Sequence, residues 1–373
     1  MKILFISSWF PNKLEPTNGN FVQRHAEAVA LQHDVEILHT IGDFNQKETF
    51  IFDDKVINGV RTLIIYYKNS KNPVQNFLCR MKAYRFGFSK MQKPDLVHAN
   101  VLHNNMLFAV YLKKKYQIPF VVSEHWTALQ KQNLNKTSGT VRRIAKFIAK
   151  KADYIIPVSE NLLESLKSIG IHTPMKVISN VVNTQVFTIK ANIEKSTIKF
   201  LHVSSLIPRK RPDQIIETVY KLKQNGYDVS LEIGGDGDTM SLNRIVKKLD
   251  AGNYISVFDE ISYSEVAEKM QVSDCFILFS DNETQGCVIL ESYSCGKPVI
   301  ATAVGGVPEF VKPGLGTLIE KANEAELYQA MENFINRKID TEKPEVLRKF
   351  VVDNFSKESI CRQFTDVYNQ VVS

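Results

Sequence analysis

The sequence predicts an α/β protein built from two doubly wound parallel sheets in tandem, and three observations carry that prediction. At 373 residues the chain exceeds the roughly 100 to 200 residues of an ordinary domain. Short apolar runs alternate with amphipathic stretches in a strand, helix, strand rhythm, first over residues 2–159 and again over 198–302. With 44% hydrophobic and 23% charged residues, and only 13 Pro and 17 Gly, the composition is that of a folded globular chain, neither disordered nor fibrous.

The elements follow in order. KILFIS (2–7) is an apolar strand before a Pro, Asn and Gly loop; FVQRHAEAVALQ then reads as a helix and VEILHT (35–40) as a strand. DLVHA (95–99), a helix through NMLFAVYLKKKY, PFVVSEH (119–125), a basic helix at VRRIAKFIAKKA and YIIPVS (154–159) complete the first domain, residues 1–190. A second domain, residues 191–355, runs from IKFLHVSSL (198–206) through a helix over 212–224, VSLEIGG (229–235) and a helix over 238–250. It continues with YISVF, a helix near SEVAEKM, CFILFS (275–280), a helix over 287–295 and PVIAT, and the join lies near residues 184–198. Segment 356–373 places Ile360, Phe364, Val367 and Tyr368 on one helical face. Open parallel sheets bind ligands at the carboxyl ends of their strands, so the polar loops PNKLEPTNGN, EHW, SSLIPRKR, GGDGD and DNETQG are where function is expected.

Charge divides the halves. Residues 1–190 hold 26 Lys and Arg against 13 Asp and Glu, whereas residues 191–373 hold 21 against 27. A surplus of 13 suggests that the first half meets an anionic surface, soluble acceptor or lipid, with solvated helix faces as the plain alternative. Val141, Ile144, Ala145 and Ile148 recur at helical spacing beside Arg142, Arg143, Lys146 and Lys150. That pattern reads either as an interfacial helix or as a helix packed on its sheet, and KKKYQ (113–117) is the other basic stretch. No nucleic-acid-reading module is present, so nucleic acid is not an expected partner. No apolar run is long enough to span a membrane, and five cysteines without a C-x-x-C pair indicate neither a disulfide framework nor a zinc site. A cytoplasmic enzyme, peripheral on the inner face of a membrane in the anionic-surface reading, is the expectation.

The most specific string is SDNETQGCVILESYSCGKPVIATAVGGVPE (280–309), in which Glu283 and Glu291 stand seven residues apart around Gly286. With ADYIIPVSENL (152–162), VISNVVNTQVF (177–187) and IGGDGD (233–238), it resembles the retaining glycosyltransferases of family 4, which have the GT-B fold. The resemblance implies two Rossmann-like domains facing a cleft, acceptor side first and nucleotide-sugar donor side second, with the last helix packing back on the first domain. It also assigns Glu291 to the donor's ribose. Glu283 precedes a helix, so its carboxylate can accept hydrogen bonds from sugar hydroxyls while the amides at Gln285, Gly286 and Cys287 point at the diphosphate. A helix cap and a solvent-facing glutamate are the plain reading of the same pair.

In SSLIPRKRPD (204–213), Lys210 is the expected cation beside the leaving diphosphate, a role that needs no metal. The family's arginine position holds Ser205, so Arg209 or Arg211 is left to reach the phosphates, or to stand as an exposed helix-start charge. Asp236 and Asp238 mimic a D-x-D metal pair, but a glycine turn with Asp238 capping the next helix is the preferred reading, and no metal site is expected. His125 resembles the family histidine near the donor sugar. Gly19 and Asn20 occupy the place of the family's paired glycines at an acceptor or phosphate loop, and His98 and His103 either line the acceptor side or pack. His125, Lys210 and Glu283 are thus the expected catalytic set, with Arg209, Gln285, Gly286, Cys287 and Glu291 on the donor.

The expected activity is retaining transfer from a nucleotide-diphosphate sugar to a hydroxyl acceptor, in polysaccharide or lipid-linked glycan synthesis, with no cofactor beyond the donor as co-substrate. A sugar-nucleotide epimerase or phosphorylase of the same fold is the alternative among enzymes. A non-catalytic two-domain sugar-binding protein is the alternative from another class, and the cation loop together with E-x7-E argues against it.

Overall fold

In a computed structural model, which describes residues 1–190 and 196–372, the chain forms two compact units, 1–181 with 357–373 and 182–356. The join read at 184–198 includes residues 191–195, which lie outside the described residues. The division falls at Val181 and Val182 instead of residue 190, because Val182 and Phe187 pack in the second unit's core.

The first unit runs β1 (Lys2–Ser7), α1 (Asn20–Val29), β2 (Asp34–Asp43), β3 (Phe50–Ile57), β4 (Val60–Lys68), α2 (Pro73–Phe88), β5 (Leu96–Asn100), α3 (Leu107–Tyr116), β6 (Phe120–Glu124), α4 (Gly139–Lys151), β7 (Tyr154–Pro157) and α5 (Glu160–Ser168). Its sheet has the order β3-β4-β2-β1-β5-β6-β7 and is parallel except for β3. The sequence reading left residues 41–94 unassigned, and the β3–β4 hairpin lies there. Its turn is Asn58-Gly59, both with positive φ (48° and 83°), the mirror-image geometry that suits the twist of two antiparallel strands. Asp53, Asp54 and Lys55 give the outer strand a charged edge that discourages pairing with another chain.

The second unit runs β8 (Ile198–Val203), α6 (Pro212–Gln224), β9 (Val229–Gly234), α7 (Thr239–Lys248), β10 (Ile255–Phe258), α8 (Tyr263–Val272), β11 (Cys275–Leu278), α9 (Cys287–Ser294), β12 (Val299–Thr302), α10 (Val307–Phe310), β13 (Gly316–Ile319), α11 (Glu324–Ile335) and α12 (Pro344–Phe355). Its sheet, β10-β9-β8-β11-β12-β13, is parallel throughout. Strand order reverses between β1 and β5 in the first sheet and between β8 and β11 in the second. At such a reversal the crossover helices leave to opposite faces and a crevice opens outside the strand ends.

After Ser356 the chain returns to the first unit as α13 (Lys357–Val372). Ile360, Phe364, Val367 and Tyr368 are fully buried there against Phe5, Val22, Ala26 and Val29, and Lys357 Nζ meets Glu27 Oε2 at 2.8 Å. Four such side chains stabilise by roughly 6 to 12 kcal/mol together, comparable with the whole stability of a domain. The Tyr368 hydroxyl also lies 2.6 Å from His98 Nδ1 inside this core.

A chain ended at Phe355 is therefore expected to lose cooperative unfolding of the first unit and to bind a hydrophobic dye. Thermal unfolding with dye fluorescence, beside the full chain, checks this; a soluble, monodisperse truncation with an unchanged midpoint would contradict it.

Candidate active site

In the second unit, the loops leaving β8 and β11 flank the reversal and are tied together. The Asp281 amide donates to the Arg209 carbonyl at 2.7 Å, and Arg211 Nε donates to Asp281 Oδ1 at 2.7 Å. Lys210 sits on a single 3-10 turn, Pro208–Lys210, between Leu206 and Arg211, two non-glycine residues in the left-handed region (φ 47° and 48°). Strained backbone of this kind costs of order 1–3 kcal/mol per residue and persists where surrounding contacts impose it. Here the turn aims the Lys210 ammonium at the Glu283 carboxylate, an ion pair with side chains only 13% and 11% exposed.

Beneath them His202 is fully buried, its Nδ1 2.8 Å from the Ile277 carbonyl and its Nε2 2.8 Å from Ser204 Oγ. Burial lowers its pKa to about 4, outweighing the bond to Ile277, so it stays neutral beside Lys210. The Ser204 hydroxyl also accepts from the Leu206 amide, which fixes the start of the loop. The glycines of GGDGD permit a close approach, since a Cβ at Gly235 would lie 2.1 Å from the Ser204 carbonyl oxygen.

Gly286 (φ 82°) caps the start of α9, so the amides around it face outward from a helix N-terminus. Gln285 is buried and Cys287 half-buried at the same end. One turn on, Glu291 is buried and accepts from the Tyr263 hydroxyl at 3.0 Å, while the Tyr263 ring packs edge-on against Phe187 at 4.7 Å. Lys210, Glu283, Gln285, Gly286, Cys287 and Glu291 are thus gathered on two neighbouring loops and one helix. Arg211 is held by Asp281 and Gln214, whereas the Arg209 side chain is exposed. Asp238 caps α7 by accepting from the Ser241 amide at 3.0 Å, and Asp236 is exposed.

In the first unit, the loop after β1 and the start of α1 meet the end of β6. Gly19 (φ 74°) must be glycine, because a Cβ there would lie 2.4 Å from the Trp9 backbone. Asn20 opens α1, and the next residue, Phe21, stacks on the His125 ring at 3.9 Å. His125 is buried, its Nε2 without a hydrogen-bond partner among the described residues. Burial first, then His25 and His98 nearby, hold its pKa well below the usual histidine range, so the ring is neutral.

His98 is not at this surface: fully buried, it bridges Tyr368 and Ser123 Oγ (2.7 Å), so the packing alternative is the correct one for it. His103 is half-buried, its ring edge-on to Trp126 at 5.7 Å. The interfacial reading of α4 also changes. Ala145, Ile148 and Ala149 lie in the core and Ile144 packs against it, which leaves Arg143, Lys146, Lys150 and Lys151 outside with one large apolar side chain, Phe147.

Sequence reasoning passed over Glu124. Its fully buried carboxylate accepts from the amides of Leu102 (2.6 Å), His125 (2.8 Å) and Trp126 (2.6 Å). Burial pushes its pKa up to about 7 against those three donors. It thereby holds the turn beside Val101, a β-branched residue at φ 71°, and orients the backbone of His125. An acid closing an apolar strand was the available signal.

Residues 19–186 match the family model described as Glycosyltransferase Family 4, and residues 185–350 the one described as Glycosyl transferases group 1. The chain belongs to the family 4 type of GT-B glycosyltransferases. It is similar to an uncharacterized glycosyltransferase of Methanocaldococcus jannaschii, 28% identical over 318 residues, covering 82% of this chain and 84% of that one. It is also similar to the N-acetyl-alpha-D-glucosaminyl L-malate synthase of Bacillus anthracis, 24% identical over 74% of this chain and 75% of the other. Among solved structures, Anabaena HepE in complex with UDP superimposes with a TM-score of 0.76 over 99% of this glycosyltransferase and 100% of HepE, at 18% identity, which bears on the fold alone.

Replacing Glu124 by Ala leaves three amides without their acceptor. At about 1–3 kcal/mol for each orphaned group, a loss of at least 3 kcal/mol is expected, read as a lower urea midpoint for the first unit. A midpoint equal to that of the parent chain would mean these amides find other partners.

Proposed function

We propose that this glycosyltransferase moves a sugar from a nucleotide-diphosphate donor to a hydroxyl acceptor, with retention at the anomeric carbon and without a metal ion. The observation that carries the reading is the Lys210–Glu283 pair, two largely enclosed opposite charges delivered by the two loops at the sheet's reversal. As the bond from the anomeric carbon to the diphosphate breaks, negative charge grows on the leaving oxygen, and a fixed ammonium stabilises it with little reorganisation. That is the electrostatic work a divalent cation does in other transferases.

Glu283 orients the Lys210 ammonium and accepts from the donor's sugar hydroxyls. The α9 N-terminus and the exposed Arg209 receive the diphosphate, and Glu291, steadied by Tyr263, accepts from the ribose diol. HepE, crystallised with UDP, gives a precedent for a uracil nucleotide on this fold. On the first unit, His125, neutral and with its Nε2 lacking a hydrogen-bond partner among the described residues, is the residue we assign to the sugar, and Gly19 and Asn20 those we assign to the acceptor. In the front-face path that suits retention here, the leaving phosphate helps take the acceptor's proton. The acceptor is a hydroxyl of a growing polysaccharide or a lipid-linked glycan.

Donor choice is read most directly by a thermal-shift screen of UDP-, GDP- and ADP-sugars, since a ligand at 100 times its dissociation constant stabilises by about 2.7 kcal/mol. Acceptor-dependent release of nucleoside diphosphate then separates transfer from simple sugar binding.

Lys210→Ala is expected to lower kcat by roughly 10²–10³ with a smaller change in KM, as for loss of one charge-stabilising group. Glu291→Ala should instead raise the donor KM, by about 10- to 100-fold, with kcat nearly kept, because a ribose contact is the same in ground and transition states. Steady-state kinetics decide both, and an unchanged kcat for Lys210→Ala removes that residue from the leaving-group role.

Activity is expected to survive EDTA in full. Loss under EDTA that manganese or magnesium restores would show that a metal carries the diphosphate charge.

A further inference from the structure

Away from these loops, the first unit carries a groove of about 900 Å³ between α2 and α3, closed at one side by β3. That is the size range of sites for drug-sized ligands. Its floor and walls are aromatic, built chiefly from Phe50, Phe86, Phe88, Phe108 and Tyr116. Lys82, Arg85, Lys93 and Lys115 ring it, and no carboxylate lines it. Lys113 on the same helix is held by Asp153 at 2.6 Å, but none of the four rim cations forms an ion pair with a carboxylate among the described residues.

Helix α2 shows why the groove stays open. Only Ala83, Tyr84 and Gly87 of its sixteen residues are buried. Gly87 sets it tightly on the sheet, where a Cβ would lie 2.3 Å from Leu38 Cδ1. Val74, Leu78 and Phe86, at spacings of four and eight, are 66%, 55% and 50% exposed, with Lys82 on the same line. The outside of this packed helix therefore keeps an interrupted row of apolar side chains in solvent, flanked by cations.

Stacked bases need open ring faces, and these rings offer few. Phe50 and Phe86 meet edge to face at 5.4 Å, as do Phe88 and Phe108 at 6.2 Å, while Lys115 lies over both Tyr111 and Tyr116. Ring edges and side-chain methylenes suit an alkyl chain, and the rim cations, of which Arg85 and Lys115 lie over tyrosine rings and none meets a carboxylate among the described residues, suit a phosphate at its end.

We propose that this groove seats an anionic phospholipid of a membrane surface, its acyl chain on the aromatic floor and its phosphate against Lys82, Arg85 and Lys115. The surplus charge of the first half is then partly a docking device. The site is independent of the glycosyl-transfer reading, and its test needs no turnover.

The full chain is expected to cosediment with phosphatidylcholine vesicles containing phosphatidylglycerol and not with phosphatidylcholine alone, more strongly at low salt. Lys82→Gln with Arg85→Gln should weaken that binding about 25-fold, at roughly fivefold for each cation at a membrane surface. Leu78→Ser with Phe86→Ser should weaken it at least tenfold, and Arg142→Gln with Arg143→Gln on α4 by less than threefold. The altered residues of α2, of which Leu78 lies beside the groove and the others line it, are largely solvent-facing, and an unchanged thermal midpoint verifies folding. As a second readout, site-resolved alkylation of Cys79, which lines the groove, should be slowed by a monomeric short-chain phosphatidylglycerol and not by its phosphatidylcholine counterpart. Binding that follows the α4 pair and ignores the groove pairs, equal binding to neutral vesicles, absence of binding at low salt, or capture of a single-stranded oligonucleotide in place of lipid would each overturn the proposal.

Discussion

A parallel ladder cannot be closed by a hairpin, and that constraint organises both units. Outside the β3–β4 hairpin, each strand must be followed by a crossover before a parallel partner can pair alongside it, so the loops that leave the parallel strands collect at one edge of each sheet. Where strand order reverses, at β1 and β5 and at β8 and β11, neighbouring loops come from distant parts of the sequence. Lys210 and Glu283 are 73 residues apart in the chain and form an ion pair for this reason.

Holding such loops still is the work of buried polar groups. Glu124 gathers three amides, His202 spans the Ile277 carbonyl and the Ser204 hydroxyl, and Thr302 Oγ1 accepts from the Ser280 amide at 3.0 Å while donating to its carbonyl at 2.8 Å. Each is an interior acceptor or donor with a directional partner, and orphaning any of them costs more than the bond contributes net. The backbone in turn tolerates Val101, Leu206 and Arg211 in the left-handed region, beside the residues assigned chemistry. Rigid loops suit a reaction in which the enzyme supplies fixed charge instead of a covalent partner.

The two surfaces of the first unit divide their labour by what lies beneath them. Helix α4 has the stronger amphipathic pattern, yet its apolar face is buried in the core. Helix α2 has the weaker pattern, and Val74, Leu78 and Phe86 remain outside, where α3 adds Tyr116 and Lys115. Periodicity reports that a face is apolar; which neighbour covers it depends on the sheet's shape and on close contacts such as Gly87 against Leu38.

The chain's own code determined the alternation of strands and helices, the glycines of GGDGD and TNGN, the Asp238 cap and the clustering of Glu283, Gly286 and Glu291, because each is a local property of a few adjacent residues. The Asn58-Gly59 turn was equally local and was passed over. Tertiary structure alone decided the role of His98, the pairing of Arg211 with Asp281 and the neutrality of the buried histidines, since these depend on partners 25 to 270 residues away. It also decided the seat of α13. An apolar helical face says that something must cover it, and only the packed sheet supplies the partner, here α1 of the first unit.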